Sequence, residues 1–431
     1  MPLALMLFLL LLVVSPLARG QDFLIQDVRV FDGEHTTSRT SVLVRNGRID
    51  AIGPRVRPRK GVRVIDGRGH TLLPGLIDAH THIRSRADLE QSLVFGVTTD
   101  ISMLMDLRLA TEEKLEQKAN HADDRADLFS SGFCATAPGG HGTEYGLKFP
   151  TLTGPQEAQA WVDDRIAEGS DFIKIIYENG GDTGHGGRPS IDKATLQALV
   201  AAAHARGKLS VVHIHSEQQA MDAIESGADG LAHLFAFGGD SVDPKFVPLV
   251  AEHHAFVIPT FSVLASVCNE SPGQHLLDDP KLSSYVLPDY LPQLKKNINR
   301  GQAQHCMFSM SAVPALAAAH VPLLSGTDAS NPGTAPGVSL HGELEYLVKA
   351  GLTAEQALAG ATSVPASAFH LADRGRISAG LRADLVLVNG DPTTNVVATR
   401  DILEVWKAGV PANRQSWHDK SRSATPAVSG Q

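Results

Sequence analysis

Between residues 76 and 327 the chain alternates short apolar or β-branched runs with stretches of helical period. The apolar runs fall near 76–79, 97–101, 129–134, 172–176, 209–214, 230–234, 256–261 and 321–327. Segments such as 156–168, 192–206, 217–226 and 301–319 separate most of them. Short apolar runs without alternation read as strands buried on both faces. Eight such strands with helices between them, over roughly 250 residues, is the size of a (β/α)8 barrel. A further helix is expected over 353–371, opened by Thr353 as N-cap with Glu355 and Gln356 in its first turn.

The patterning changes on both sides of this core. Runs at 23–31, 40–45, 48–52 and 62–66 read as short strands, and Asn46-Gly47 between two of them is a strong hairpin signal. A matching piece lies at 380–388 and 402–408, and those late strands are expected to complete the early sheet. The expected architecture is therefore α/β. A TIM-type (β/α)8 barrel occupies 75–372, a small β-sandwich is built from both chain ends (21–74 and 373–412), and 413–431 form a C-terminal tail.

Residues 1–20 stand apart. Leu3 to Val14 is an unbroken apolar run too short to span a membrane, followed by Ser15-Pro16-Leu17-Ala18-Arg19-Gly20. Ala18 and Gly20 fit the small-x-small rule of signal-peptide cleavage, so a mature start at Gln21 and a periplasmic or secreted location are expected. No Lys or Arg precedes the apolar core, a departure from the usual pattern. No second apolar run reaches the length of a membrane span. The net charge of −9 is spread without blocks, which points away from nucleic acid and from anionic membranes. Cys134, Cys268 and Cys306 allow at most one bridge, and buried thiols are the expectation. Homo-oligomer formation is left open.

Chemistry in such barrels sits at the carboxyl ends of strands. Strand one ends in Leu76-Ile77-Asp78-Ala79-His80-Thr81-His82, where a period of two puts both imidazoles on one side. Strand four carries Lys174 inside the apolar run 172–176, strand five ends in His213 and His215, strand six in His233, and strand eight in Asp328. Each has an ordinary structural reading, from a snorkelling lysine to a helix N-cap. Their coincidence at the same end of successive strands points instead to a metal site, because neutral imidazole and carboxylate suit zinc and its neighbours.

The set Leu73-Pro74-Gly75-Leu76-Ile77-Asp78-Ala79-His80-Thr81-His82, Ile173-Lys174-Ile175, Val212-His213, Ala228-Asp229-Gly230-Leu231-Ala232-His233, Ser325-Gly326-Thr327-Asp328 and Gly380 to Val386 resembles the amidohydrolase superfamily. The likeness is to its imidazolonepropionase-like or prolidase-like branch, of Xaa-Pro or Xaa-basic dipeptidase type, and it covers residues 22–410. The resemblance implies two divalent metal ions, with zinc the expected ion. His80, His82 and Asp328 would hold one and His213 and His233 the other, with Lys174 as N6-carboxylysine bridging them together with a hydroxide. It implies hydrolysis of an amide bond in a dipeptide or N-acyl amino acid, with Asp328 as the catalytic base. His213 is preferred to His215 because its distance to His233 matches the family pattern.

Two loops are expected to face the substrate. Pro138-Gly139-Gly140-His141-Gly142 follows strand three, and the family often has a histidine there. Residues 179–188, glycine-rich, follow strand four as a candidate lid. His141, Tyr177, Arg188 and His215 are the candidate substrate contacts, Arg188 through a substrate carboxylate. The alternative chemistry is hydrolysis of a lactone or imidazolone ring at the same site, and a different class is a metal-free binding protein on the same barrel.

Overall fold

The computed structural model describes residues 22–121, 123–178, 187–235, 241–298 and 306–423. The signal segment, Gln21 and residues 179–186 of the glycine-rich loop lie outside the described residues.

Five strands open the chain: β1 (Phe23–Phe31), β2 (Thr36–Arg45), β3 (Arg48–Ile52), β4 (Arg63–Asp66) and β5 (His70–Pro74). Asn46 and Gly47 both take positive φ, 52° and 75°, the geometry that lets a two-residue turn join β2 to β3. The barrel strands are β6 (Leu76–Thr81), β7 (Val97–Ser102), β8 (Asp127–Ser130), β9 (Cys134–Ala135), β10 (Ile173–Ile176), β11 (Ser210–His213), β12 (Gly230–Ala232) and β13 (Phe256–Ile258). The chain closes with β14 (Leu385–Asn389), β15 (Ile402–Lys407) and β16 (Val410–Pro411).

The first and last groups form one eight-stranded sheet, ordered β16-β15-β14-β5-β1-β2-β3 with β4 on β1. Phe23 of β1 stacks on Trp406 of β15 at 4.9 Å although two strands separate them in the sheet. The sheet therefore folds over its own apolar core, which includes Ile25, Val42, Leu72 and Leu385. Strand β5, which the alternation did not separate from the approach to β6, is the hinge between sheet and barrel. Gly75 lies between the two, where a Cβ would fall 2.2 Å from Thr98 Oγ1.

The parallel barrel strands run β6-β7-β8 and β9-β10-β11-β12-β13. The expected third strand, 129–134, is split into β8 and β9, with Gly132 at φ 63° between them. The expected eighth strand, 321–327, makes no continuous ladder, in keeping with Pro322, which has no N–H to give, and Asp328, which takes φ 55°. It closes the barrel through bridges Val257↔Leu323 and Thr81↔Ala329, helped by Ala79 N donating to Ser325 O at 2.9 Å. Phe172, Val211, Phe256 and Leu324 fill a core layer in which Phe369 packs on Phe172 and Phe256 at the strands' amino ends. Thr353 caps as expected, but the helix over 353–371 is two, Ala354–Gly360 and Ser363–Ala368. No helix among the described residues is long and apolar enough to cross a membrane.

Two features tie distant segments together. Asp127, at the start of β8, accepts from Arg374 at 2.7 Å and from Arg382 and Lys407 at 2.5 Å each, fastening the barrel to the terminal sheet. The thiol expectation needs correction. Cys268 and Cys306 form a disulfide, their Cα atoms 5.9 Å apart, because chain folding brings together two cysteines that sequence distance alone does not pair. Cys134 is a buried free thiol.

Candidate metal centre

The carboxyl ends of the barrel strands enclose a cavity of about 370 Å³, lined by His80, His82, Lys174, His213, His233 and Asp328. All six residues expected to hold metal are thus brought together. A larger cavity of about 570 Å³ lies at the amino ends, beside Leu209, Phe256 and Pro322, but no cluster of ligating atoms forms there among the described residues.

Asp328 Oδ1 stands 2.8 Å from His82 Nε2 and 3.3 Å from His80 Nε2. Ligating atoms of His80, His233 and Asp328 all lie within 4.8 Å of one another. Burial lowers His80 to about 3 and holds His213 and His233 well below the ordinary histidine value. The rings are therefore neutral near pH 7 and carry a lone pair for a metal. Burial by itself would raise Asp328, but His80 and His82 beside it outweigh that and keep it an ionised carboxylate.

Hydrogen bonds at the far side of two rings set their tautomers. Thr260 donates its hydroxyl to Pro259 O at 2.8 Å, so its oxygen accepts from His233 Nδ1 at 2.6 Å, and His233 presents Nε2. His82 Nδ1 donates to Leu104 O at 3.3 Å and likewise presents Nε2. Such outer contacts orient ligands and raise their basicity.

Lys174 is 3% exposed and its Nζ has no hydrogen-bond partner. Burial lowers it to about 7, against a smaller opposing pull from Asp328. A buried amine without a partner is costly, which marks it as a group awaiting one.

Sequence reasoning missed two carboxylates. Glu178, 2% exposed, accepts from His213 Nε2 at 2.9 Å and lies 3.5 Å from His215 Nε2. Ligating atoms of His141, Glu178 and His213 form a second group within 4.8 Å. Period-two alternation could have found it, since 174, 176 and 178 share a face and Lys174 and Ile176 line the cavity. Asp78, fully buried, accepts from Thr327 Oγ1 at 2.6 Å, Thr327 N at 3.0 Å and His80 N at 3.2 Å. It clamps the segment bearing Asp328 onto β6.

The expected substrate contacts divide. His141 lines the cavity, its Nδ1 bonded to Glu144 at 2.9 Å. His215 lies behind it, beside Glu178. Tyr177 is corrected: its hydroxyl donates to Asp222 at 3.0 Å and its ring joins the helix-facing core, because alternation turns 177 away from Lys174. Arg188 is likewise diverted, with Nε 3.5 Å from Glu144 and the side chain outside the cavity lining.

Residues 71–412 match the profile of the amidohydrolase family. The chain is 24% identical over 413 residues to the imidazolonepropionase of Deinococcus radiodurans, covering 87% of this chain and 92% of that protein. Its fold is similar to a Xaa-Pro dipeptidase crystallised with methionine in the active site, with TM-score 0.71 and 23% identity over 91% of this chain and 99% of that one. Molinate hydrolase is similar in fold at TM-score 0.73 and 18% identity, covering 96% and 100%.

Proposed function

The chain belongs to the amidohydrolase family, and on that premise we propose that it is a metal-dependent hydrolase of the amide bond in a dipeptide or N-acyl amino acid. The observation that carries the reading is Lys174, a buried amine without a hydrogen-bond partner among neutral imidazoles and an ionised aspartate. The donor set fits divalent metal: neutral nitrogens, a carboxylate, and tautomers set from outside. His80, His82 and Asp328 would hold one ion and His213 and His233 a second, with Lys174 between them as N6-carboxylysine. An ammonium cannot ligate, whereas a carbamate offers anionic oxygens. Carbamate formation needs the neutral amine that burial favours.

When bound, such ions lower the pKa of water and polarise a carbonyl. The chain's own residues do the rest. Asp328 takes the proton from the attacking water on its carboxylate and returns it to the departing amine. Asp78 and Thr327 hold that carboxylate's segment in place, and His141 faces the cavity from the loop after β9, its ring held by the bond from Nδ1 to Glu144.

Opening of an imidazolone or lactone ring is the second reading, favoured by the likeness to imidazolonepropionase over most of the chain. A turnover screen of dipeptides, N-acyl amino acids, lactones and imidazolonepropionate, on protein of measured metal content, decides between them. Turnover of the ring substrates alone would overturn the amide reading. We also infer export with Gln21 as mature N-terminus. The Cys268–Cys306 bridge supports an oxidising compartment, and an intact Met1 on cytosolic protein would refute it.

A further inference from the structure

Among the described residues, two groups of three ligating side chains bring their donor atoms within 4.8 Å of one another. His80, His233 and Asp328 belong to the centre already described. The other group is His141, Glu178 and His213, and holding two ions gives no task to His141 and none as a ligand to Glu178. We propose that this second group, with His215 beside it, is a third site for a divalent transition-metal ion, and that an ion there inhibits turnover. The inhibition rests on the hydrolase reading above, whereas binding of the ion does not.

The three side chains come from separate elements that converge on one corner of the cavity. His141 stands on the loop after β9, which two glycines let settle onto the strand ends. A Cβ at Gly140 would fall 2.4 Å from Thr136 Oγ1, and one at Gly142, where φ is 98°, would fall 3.1 Å from Cys134 Sγ. The loop thereby lays the His141 ring against that of His213, centroids 4.9 Å apart. His141 Nδ1 donates to Glu144 at 2.9 Å, so Nε2 is the ligating nitrogen of that ring.

Glu178 is the anionic member, two residues past the end of β10. Its Oε1 stands 2.9 Å from His213 Nε2 and 3.5 Å from His215 Nε2. Ligands about 2.0–2.2 Å from a tetrahedral zinc are roughly 3.3–3.6 Å from each other, so small side-chain shifts close this set on an ion. His141, Glu178 and His213 are all buried, and imidazoles with one carboxylate suit zinc, cobalt or nickel rather than magnesium or calcium.

His213 is shared, and its two nitrogens allow that. Nε2 faces Glu178, and Nδ1 is the atom left for the pair of ions. A third ion takes the place of the Nε2 proton, which leaves to solvent. It must also break the His213–Glu178 hydrogen bond and approach two like charges, so it fills last, at excess metal. Once there it occupies the wall that His141 presents to the cavity, and it draws electron density from a ring that serves the second ion.

The test is equilibrium dialysis of metal-free, untagged protein against rising cobalt(II) with bicarbonate present. Visible absorption is followed, together with turnover of any compound found by the screen above. The parent should take up two equivalents tightly and a third at higher cobalt, with a new absorption band and a loss of turnover as the third binds. His141→Ala should keep the first two and weaken the third by more than about 100-fold, beyond the roughly 10–100-fold for removing an outer partner. Glu178→Gln, close in shape to the parent, should lose the third and weaken the second as well. Matching thermal unfolding curves of the metal-free proteins confirm that the variants are folded. A parent without any equivalent that depends on His141 would overturn the site, and a third ion that binds without slowing turnover would overturn the inhibition. Fewer than two equivalents independent of His141 would count against the two-ion centre instead, and the absence of any turned-over compound against the hydrolase reading, while the metal count still decides the site.

Discussion

Replacing Lys174 by methionine should make the metal-free protein more stable and the metal-loaded protein inactive. The side chains are of similar length, but methionine has no polar head to bury. Burial lowers Lys174 from 10.5 to about 7, and at about 1.4 kcal/mol per pH unit, holding that amine inside at pH 7 costs on the order of 4 kcal/mol. A buried polar group without a partner costs about 1–3 kcal/mol by a separate route. Metal-free Lys174→Met should therefore gain about 1–4 kcal/mol over the parent. The gain has a definite pH dependence. Between about pH 7 and 10.5 the unfolded lysine holds a proton that the folded one lacks, so the parent's stability rises with pH across that window. The variant lacks this slope, and the two curves converge towards the upper limit. Urea unfolding of chelator-treated proteins at pH 7 and pH 10 measures this, beside metal content and turnover after reloading with metal and bicarbonate. The reloaded variant should lose one metal equivalent and most activity. A metal-free variant less stable than the parent would show that the amine is well partnered, and a variant with two metals and normal turnover would make Lys174 a core residue only.

Asp328→Asn, fully metallated, should lose about 10²–10⁴-fold in kcat, the range for removing a general base, with a smaller change in KM; turnover within about threefold of the parent would remove Asp328 from that role. Glu178→Gln should weaken the second metal equivalent by about 10–100-fold, read by competition with a chromophoric chelator, since an outer carboxylate orients His213; unchanged affinity would leave Glu178 structural. Asp127→Asn should cost about 3–5 kcal/mol in urea unfolding, because the buried carboxylate that Arg374, Arg382 and Lys407 share loses its charge. Activity below the unfolding transition should persist in that variant, since Asp127 lies at the amino end of its strand, and a loss under about 0.5 kcal/mol would contradict the buried-pair argument.

The candidate metal-holding residues were legible because strand ends are local. An apolar run followed by His, Lys or Asp announces both the strand and the group it delivers, and His80, Lys174, His213, His233 and Asp328 all arrived in that way. Tyr177 was misplaced and Glu178 was missed for want of one further application of alternation from Lys174. Arg188 was a different failure. It follows a glycine-rich loop that no period constrains, and its choice of Glu144 depends on where the loop after β9 comes to rest. The eighth strand was legible as an apolar run but not as a set of isolated bridges, since that depends on the partner strands on either side. The Cys268–Cys306 pairing was unreadable for the same reason.

The interleaving of β5 and β14 sets an order on how this protein can come into being. As the chain emerges, β5 exposes one ladder edge whose partner arrives roughly 300 residues later. At about 5–20 residues per second that edge waits tens of seconds, beside an apolar layer that Leu385, Leu387 and Trp406 have yet to cover. An unpaired edge of this kind is a template for pairing with another chain. Chains cut short between Asp328 and β14 would carry all six candidate metal-holding side chains and still be prone to aggregate, so the closing strands β14 to β16 act as the fold's release from self-association.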